Sequence, residues 1–407
     1  MFPVAQAKTS PRGPAGSSWL AVLATLSGLV LSACGGNSAS DAFSSLSGSP
    51  QAPTQPAAAI GAGRIKVGLI LPLSGAGNAG VAAQSMRNAA EMALAEYNNP
   101  DLQLLLKDDG GSASGAQQAA QQAVDEGAEI ILGPLFALTV GPVGQVARAR
   151  NVPVIAFSTD ANVAAHGVYL LSFLPESDVD RIVSFAASQG KRSFAALVPD
   201  NAYGTVVEGA FKQAVGRRGG RLVALEHYPL DRAQMQGPAR NVALAAKGAD
   251  AIFIPDGADA VPSVVQALIS SGIDTKRVQL MGTGLWEDAQ IFSSPALEGA
   301  WYAGPDSTGF RNFSARYRTR YGQDPVRTST LAYDAVTLIA ALIKTQGADR
   351  FSEAVLTNPS GFAGLDGLFR FRPDGTNQRG LAVLRVSPTG GQIISPPPKS
   401  FGGSPAG

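Results

Sequence analysis

The 407-residue chain carries one cysteine, Cys34, and two histidines, His166 and His227. That inventory leaves no Cys/His set for zinc, and neither a G-x-S-x-G nucleophile elbow nor an H-E-x-x-H helix occurs. Gly75-Ala76-Gly77-Asn78-Ala79-Gly80 does match G-x-G-x-x-G, the strongest enzyme-like signal present. In a dinucleotide site the first glycine follows its strand directly, and an acid stands about 20 residues further on. Here Pro72-Leu73-Ser74 intervene and the strand-end acid Asp108 lies 28 residues beyond Gly80, so the segment reads as a strand-to-helix loop. Asp108-Asp109 resembles a carboxylate pair, but adjacent side chains at a strand end point to opposite sides, which favours capping of the following helix. No catalytic residue, metal site or cofactor is expected, and the chain is not read as an enzyme.

The loops that follow apolar runs say more. ILGPLFALT (131–139), IAFSTDAN (155–162), VPDNAYG (198–204) and IPDGAD (254–259) each place free backbone N–H groups near a helix start. Thr139, Ser158, Thr159, Asp160, Tyr203 and Asp256 are their polar handles. A helix N-terminus beside Ser or Thr suits a carboxylate. Asp256 can answer an ammonium group, and Tyr203 can cover an apolar ligand body. For each of these residues, helix capping or turn chemistry is the competing role.

Positioning such loops requires strands and helices in alternation. IKVGLILPL (65–73), LQLLLKDD (102–109), EIILGP (129–134) and VPVIAF (152–157) are near-continuous apolar runs separated by Ala/Gln-rich helical segments. A second series, with strands at 193–199, 221–228, 251–255 and 278–282, follows SFLPESDVD. Apolar strands separated by helices of about 15 residues, without short hairpins, indicate βαβ units and parallel sheets covered on both faces. The fold class is therefore α/β, with two doubly wound parallel-sheet lobes and a cleft between them lined by strand ends.

Composition limits the partners. The chain is 45% hydrophobic and 15% charged with a formal net charge of +1, which gives no field for nucleic acid. Residues 1–33, with Lys8 and Arg12 ahead of an apolar stretch at 19–33, read as a signal peptide too short to span a bilayer. Leu31-Ser32-Ala33-Cys34 then resembles the bacterial lipobox, which implies lipidation of Cys34 and cleavage before it. Residues 34–63 and 388–407, rich in Gly, Ser, Ala and Pro, are expected to be a disordered tether and a disordered tail.

KVGLILPLSG, LLLKDDGGSASGAQQAAQQAVDEGAEIILGP, VPVIAFS, LVPDNAYG and TLAYDAVTLIAALI, taken in order, resemble the leucine/isoleucine/valine-type periplasmic binding proteins. The resemblance implies three crossovers, near Pro175, Pro305 and Gly361. Lobe 1 would then comprise 64–174 plus 305–361, and lobe 2 would comprise 175–304 plus 362–387. It implies a small ligand, an amino acid or a related compound, held in the interlobe cleft for an ABC permease, and a periplasmic location in a Gram-negative bacterium, lipid-anchored to the inner or outer membrane. In the family the loop after the GP dipeptide holds the ligand carboxylate. Here that loop offers Leu138 and Thr139, with Leu135, Phe136, Ala137 and Leu138 where hydroxyls are usual. The acid expected after the MG strand is absent from Thr283-Gly284-Leu285, leaving Asp256 or Glu287 as the ammonium partner. GPLFALT, GVYLLSFLP and FRFRPDGTNQRGLAVLRV also resemble outer-membrane lipoproteins of the same fold that activate penicillin-binding proteins, an alternative partner and function.

Overall fold

A computed structural model describes residues 59–401 apart from 98, 99, 230, 232 and 233. The signal, Cys34 and most of the expected tether lie outside the described residues.

Lobe 1 begins with β1 (Ala59–Ile60), β2 (Ile65–Leu71), α1 (Asn78–Glu96), β3 (Leu102–Asp108), α2 (Ala113–Asp125), β4 (Ile130–Leu132), α3 (Ala137–Arg148), β5 (Val154–Ala156) and β6 (Val168–Leu170). Its six-stranded sheet has the order β1-β3-β2-β4-β5-β6, parallel except at β1. β2 is buried on both faces from Val67 to Leu71, as a parallel strand under two helical layers must be. α2 buries Ala116, Ala119, Ala120 and Ala123, a stripe at helical spacing, and Ser112 caps it by accepting the Gly115 N–H at 3.1 Å. Gly133 has φ +98°, and a Cβ there would sit 2.0 Å from the Ile70 carbonyl oxygen, so the turn out of β4 needs glycine. The G-x-G-x-x-G segment is a tight entry into α1: a Cβ on Gly80 would lie 2.1 Å from the Gly75 carbonyl oxygen.

Lobe 2 follows with α4 (Pro175–Ser188), β7 (Ser193–Pro199), α5 (Ala202–Arg217), β8 (Arg221–Tyr228), α6 (Gln236–Ala245), β9 (Ala251–Phe253), α7 (Val261–Ser270), β10 (Gln279–Gly282), α8 (Ala289–Phe292) and β11 (Trp301–Gly304). The chain returns to lobe 1 with α9 (Ser307–Tyr321), α10 (Ser329–Thr345), α11 (Glu353–Leu356) and a small antiparallel sheet, β12 (Phe362–Gly364), β13 (Gly367–Phe371) and β14 (Asn377–Arg379). It ends in lobe 2 with β15 (Ala382–Ser387) and β16 (Gly390–Ser395). The seven-stranded lobe 2 sheet runs β16-β15-β11-β10-β9-β7-β8 and is antiparallel only across β11-β15-β16. α10 buries Leu331, Ala335, Val336 and Ile339 against Val67, Leu69 and Leu104 of lobe 1, while α4 buries Val179, Ile182 and Val183 against Phe194 and Phe253 of lobe 2.

Three assignments differ from the expectation. Residues 362–379 belong with lobe 1, so the third crossing falls at Gly380-Leu381 rather than near Gly361. The alternation of FRF in β13 turns Phe369 and Phe371 to one face, and both are buried in the lobe 1 core, Phe371 with its ring 5.5 Å from that of Tyr169. Asn377 fixes the arrangement by donating Nδ2–H to the carbonyls of Leu170 (2.9 Å) and Ser172 (2.8 Å). The expected tether stops short of residue 63: Ala59–Ile60 pairs antiparallel with β3, because Ile60 packs on the lobe 1 core and the edge of β3 offers free backbone groups. The expected tail from 388 instead turns back as β16, satisfying the edge of β15, and Arg181 of α4 donates to Ser395 Oγ at 2.7 Å.

Candidate functional site

The carboxyl ends of the parallel strands carry the polar side chains of both lobes. In lobe 1 Thr139 is fully buried in the first turn of α3, and its hydroxyl donates to the Phe136 carbonyl at 2.8 Å. Leu138 beside it is 59% exposed. Ser158 is buried and accepts the Asp160 N–H at 3.1 Å, Thr159 is exposed, and Asp160 accepts the backbone and side-chain N–H groups of Asn162 at 3.0 and 2.9 Å. Three of the expected ligand contacts in this lobe thus hold their own loops. Asp109 adds a group that sequence reading assigned to capping. It is wholly buried, Oδ1 accepts the Gly111 N–H at 2.8 Å, and Oδ2 has no partner. Burial raises its carboxyl above the usual range, partly opposed by the Gly111 N–H.

Lobe 2 gathers a denser constellation. Asn201 caps α5 by accepting the Gly204 N–H at 2.8 Å, which sets Tyr203 in the first turn. The Tyr203 hydroxyl meets Thr283 Oγ1 at 3.0 Å, and Thr283 is itself fully buried at the end of β10. Asp256, after β9, accepts the Tyr228 hydroxyl at 2.6 Å and the Gly257 N–H at 2.7 Å. Asp178, in the first turn of α4, accepts the Gly284 N–H at 2.8 Å. Burial pushes the Tyr203 hydroxyl pKa well up, and the charges of Asp178, Asp256 and Glu176 push it further, so all three carboxylates act on the one phenol. Burial likewise raises Glu176, with Asp160 of lobe 1 adding to it, and Glu176 Oε2 is buried without a partner. Asp178 keeps part of its surface open yet is enclosed enough that burial drives its carboxyl up to about 7; the Gly284 N–H, Arg379 and Arg327 act against that rise. Glu287, an expected ammonium partner, instead accepts the Tyr302 hydroxyl.

The structure therefore brings together Tyr203 and Asp256 of the expected set, and it sets Asp160 near the same group through Glu176. It adds Glu176, Asp178, Thr283 and Tyr228. Pro-Glu-Ser-Asp at the start of α4 reads as an ordinary helix N-terminus, where acids favour the dipole, so nothing in that stretch marks a site. Such a wall of acceptors around a phenol suits an amine or another hydrogen-bond donor.

At the crossovers five side chains stack. The Arg327 guanidinium lies 4.5 Å from the Phe173 ring centre and 4.6 Å from that of Phe310. Arg379 lies 4.6 Å from the Phe173 centre and 5.6 Å from that of Phe369. Phe173 precedes α4, Phe310 follows the second crossing and Arg379 precedes the third, so the stack ties all three strands of the hinge. Asp366, wholly buried, holds Arg327 with two bonds of 3.0 and 2.6 Å and accepts the Thr330 hydroxyl at 2.7 Å.

Two α/β lobes of mainly parallel sheet, linked by three crossovers, define the type I periplasmic binding fold. The family model described as "Periplasmic binding protein" matches residues 64–392, and the chain belongs to that family. Among solved structures, it is similar to a branched-chain amino acid ABC transporter periplasmic ligand-binding protein from Burkholderia xenovorans, at 18% identity and TM-score 0.66 over 84% of this chain and 97% of that one. An ABC transporter substrate-binding protein from Desulfitobacterium hafniense in complex with Leu matches at 19% identity and TM-score 0.60, over 81% of this chain and 99% of the other. A solute-binding protein from Rhodopseudomonas palustris in complex with 3,4-dihydroxybenzoic acid matches at 20% and 0.56, over 79% and 92%. No curated protein sequence matches the chain. The family and these neighbours are described as binding proteins.

Proposed function

We propose that the chain is a periplasmic solute-binding protein of an ABC-type transporter, anchored through lipid on Cys34, whose lobes close on an amino acid or a related small compound. The observation that carries this reading is the group around Tyr203: Asp178, Asp256 and Glu176 from lobe 2, with Asp160 of lobe 1 beside Glu176. A ligand amine placed there meets acceptors that are already desolvated, and closure around it is favoured by differential affinity alone. Converting a 1:99 equilibrium to 99:1 takes about 5.5 kcal/mol of such difference. The neighbours that hold leucine and an aromatic acid set the range of ligands to try. Thermal-shift and calorimetric titration of the purified protein against the amino acids and aromatic carboxylates tests the reading. A raised midpoint with compaction by X-ray scattering supports it, and a panel without any binding overturns it.

A second reading, an activator of a penicillin-binding protein, draws on the exposed Leu138 of the loop after β4. It predicts co-purification with such an enzyme and outer-membrane fractionation, and exclusive inner-membrane location would sink it.

A further inference from the structure

Arg379 is 5% exposed, and only one of its three guanidinium nitrogens is bonded: Nε donates to the Ser172 carbonyl at 2.8 Å, while Nη1 and Nη2 are buried without partners. Two carboxylates act on its charge without being ion-paired to it, and each is incompletely bonded. Asp334 of α10, in lobe 1, accepts the Leu365 N–H at 2.8 Å through Oδ1 and leaves Oδ2 buried and unpartnered. Asp178 of α4, in lobe 2, uses Oδ2 for the Gly284 N–H. Asp366, the third acid near Arg379, is already occupied by Arg327 and Thr330. Stacking on Phe173 and Phe369 holds the guanidinium plane and leaves its Nη edge free for a carboxylate.

We propose that Arg379 is a two-position swivel that sets the opening of the lobes, pairing with Asp334 when they are apart and with Asp178 when they come together. Arg379 and Asp334 both travel with lobe 1, since α10 and β13 pack on that core and β14 is paired to β13, whereas Asp178 on α4 travels with lobe 2. Lobe approach therefore changes the Arg379–Asp178 separation and leaves the Arg379–Asp334 separation fixed. Buried donors and acceptors left unpaired are costly, so each end state gains by engaging the free edge of the guanidinium. The two carboxylates thus bias the same equilibrium in opposite directions. Arg379 is a positioning residue, and the inference rests on the reading of the cleft as one that closes.

The test needs no ligand and so is separable from the failure of that reading. Spin labels at Gln118→Cys on α2 and Gln213→Cys on α5, in a Cys34→Ser full-length chain, report interlobe distance by double electron–electron resonance. Asp178→Asn is expected to lower the short-distance population about tenfold, the worth of one charge-assisted hydrogen bond. Asp334→Asn is expected to raise it by a similar factor. In an Arg379→Lys background, which keeps the charge and loses the planar fork, both effects should vanish. Shifts of the same sign in the two Asn variants, no shift in either, or shifts that persist with lysine would overturn the proposal.

Discussion

Tyr203 and Thr283, 80 positions apart in the chain, meet with 3.0 Å between their hydroxyl oxygens and join the first turn of α5 to the end of β10. The contact ties the phenol to the end of β10, where the charges of Asp178, Asp256 and Glu176 all act on it. Tyr203→Phe keeps the ring and leaves a fully buried Thr283 hydroxyl without its partner. The expected loss is about 1 kcal/mol of unfolding free energy in urea, with ligand affinity reduced less than in Tyr203→Ala. Tyr203→Ala should weaken whichever amino acid the thermal-shift panel identifies by tenfold or more, and unchanged affinity would remove the ring from the site.

Asp178 and Asp334 both have carboxyls raised to about 7 in the folded chain, chiefly by burial. An unfolded carboxyl of this kind titrates near ~4, so between about pH 4 and 7 the folded state binds the extra protons. Their contribution to stability is therefore full below the unfolded value and declines as pH rises through 7. Urea midpoints measured from pH 4 to 8 should show this decline flattened in both Asp178→Asn and Asp334→Asn.

Phe371 lies on β13 with its ring against Tyr169 in the lobe 1 core. Phe371→Ala should cost about 3–5 kcal/mol, read by chemical denaturation. A loss below 1 kcal/mol would show that the small sheet is peripheral to lobe 1.

Deletion of residues 388–407 removes β16 and the Ser395 acceptor of Arg181. That one charge-assisted bond is worth about 1.5–3 kcal/mol, so the truncated protein should melt measurably lower. An unchanged midpoint would be the behaviour of a disordered tail.

Cys34→Ser should move the protein from the membrane fraction to the soluble fraction of a cell extract. Retention in the membrane fraction would remove the lipid anchor from the proposed function.

The strands of both lobes were legible because a strand buried on two faces is a continuous apolar run, and β2, β3 and β7 are of that kind. The loops after them could be placed for the same reason, and with them Tyr203 and Asp256. Period-two alternation in FRF marks which residues share a face, but it carries no information on which lobe receives that face, so β12–β14 went to the wrong one. β1 and β16 are built of Gly, Ser, Ala, Gln and Ile, and their pairing comes from the open edge of a neighbouring strand rather than from their own composition. Glu176, Asp178 and Arg379 depend on separations across the fold. Locally, two of them look like helix-start acids and the third like a strand-end base.

The insertion of β15 between β11 and β16 has a consequence for biogenesis. Until residues 382–395 emerge, β11 presents a bare backbone ladder, with Tyr302 and Ala303 awaiting cover. Lobe 1 must be threaded through in the meantime, including its own late sheet. A nascent chain is thus sticky along one strand while residues 305–381 are made, and holding it unfolded for export until the last strand arrives would keep that edge from finding a foreign one.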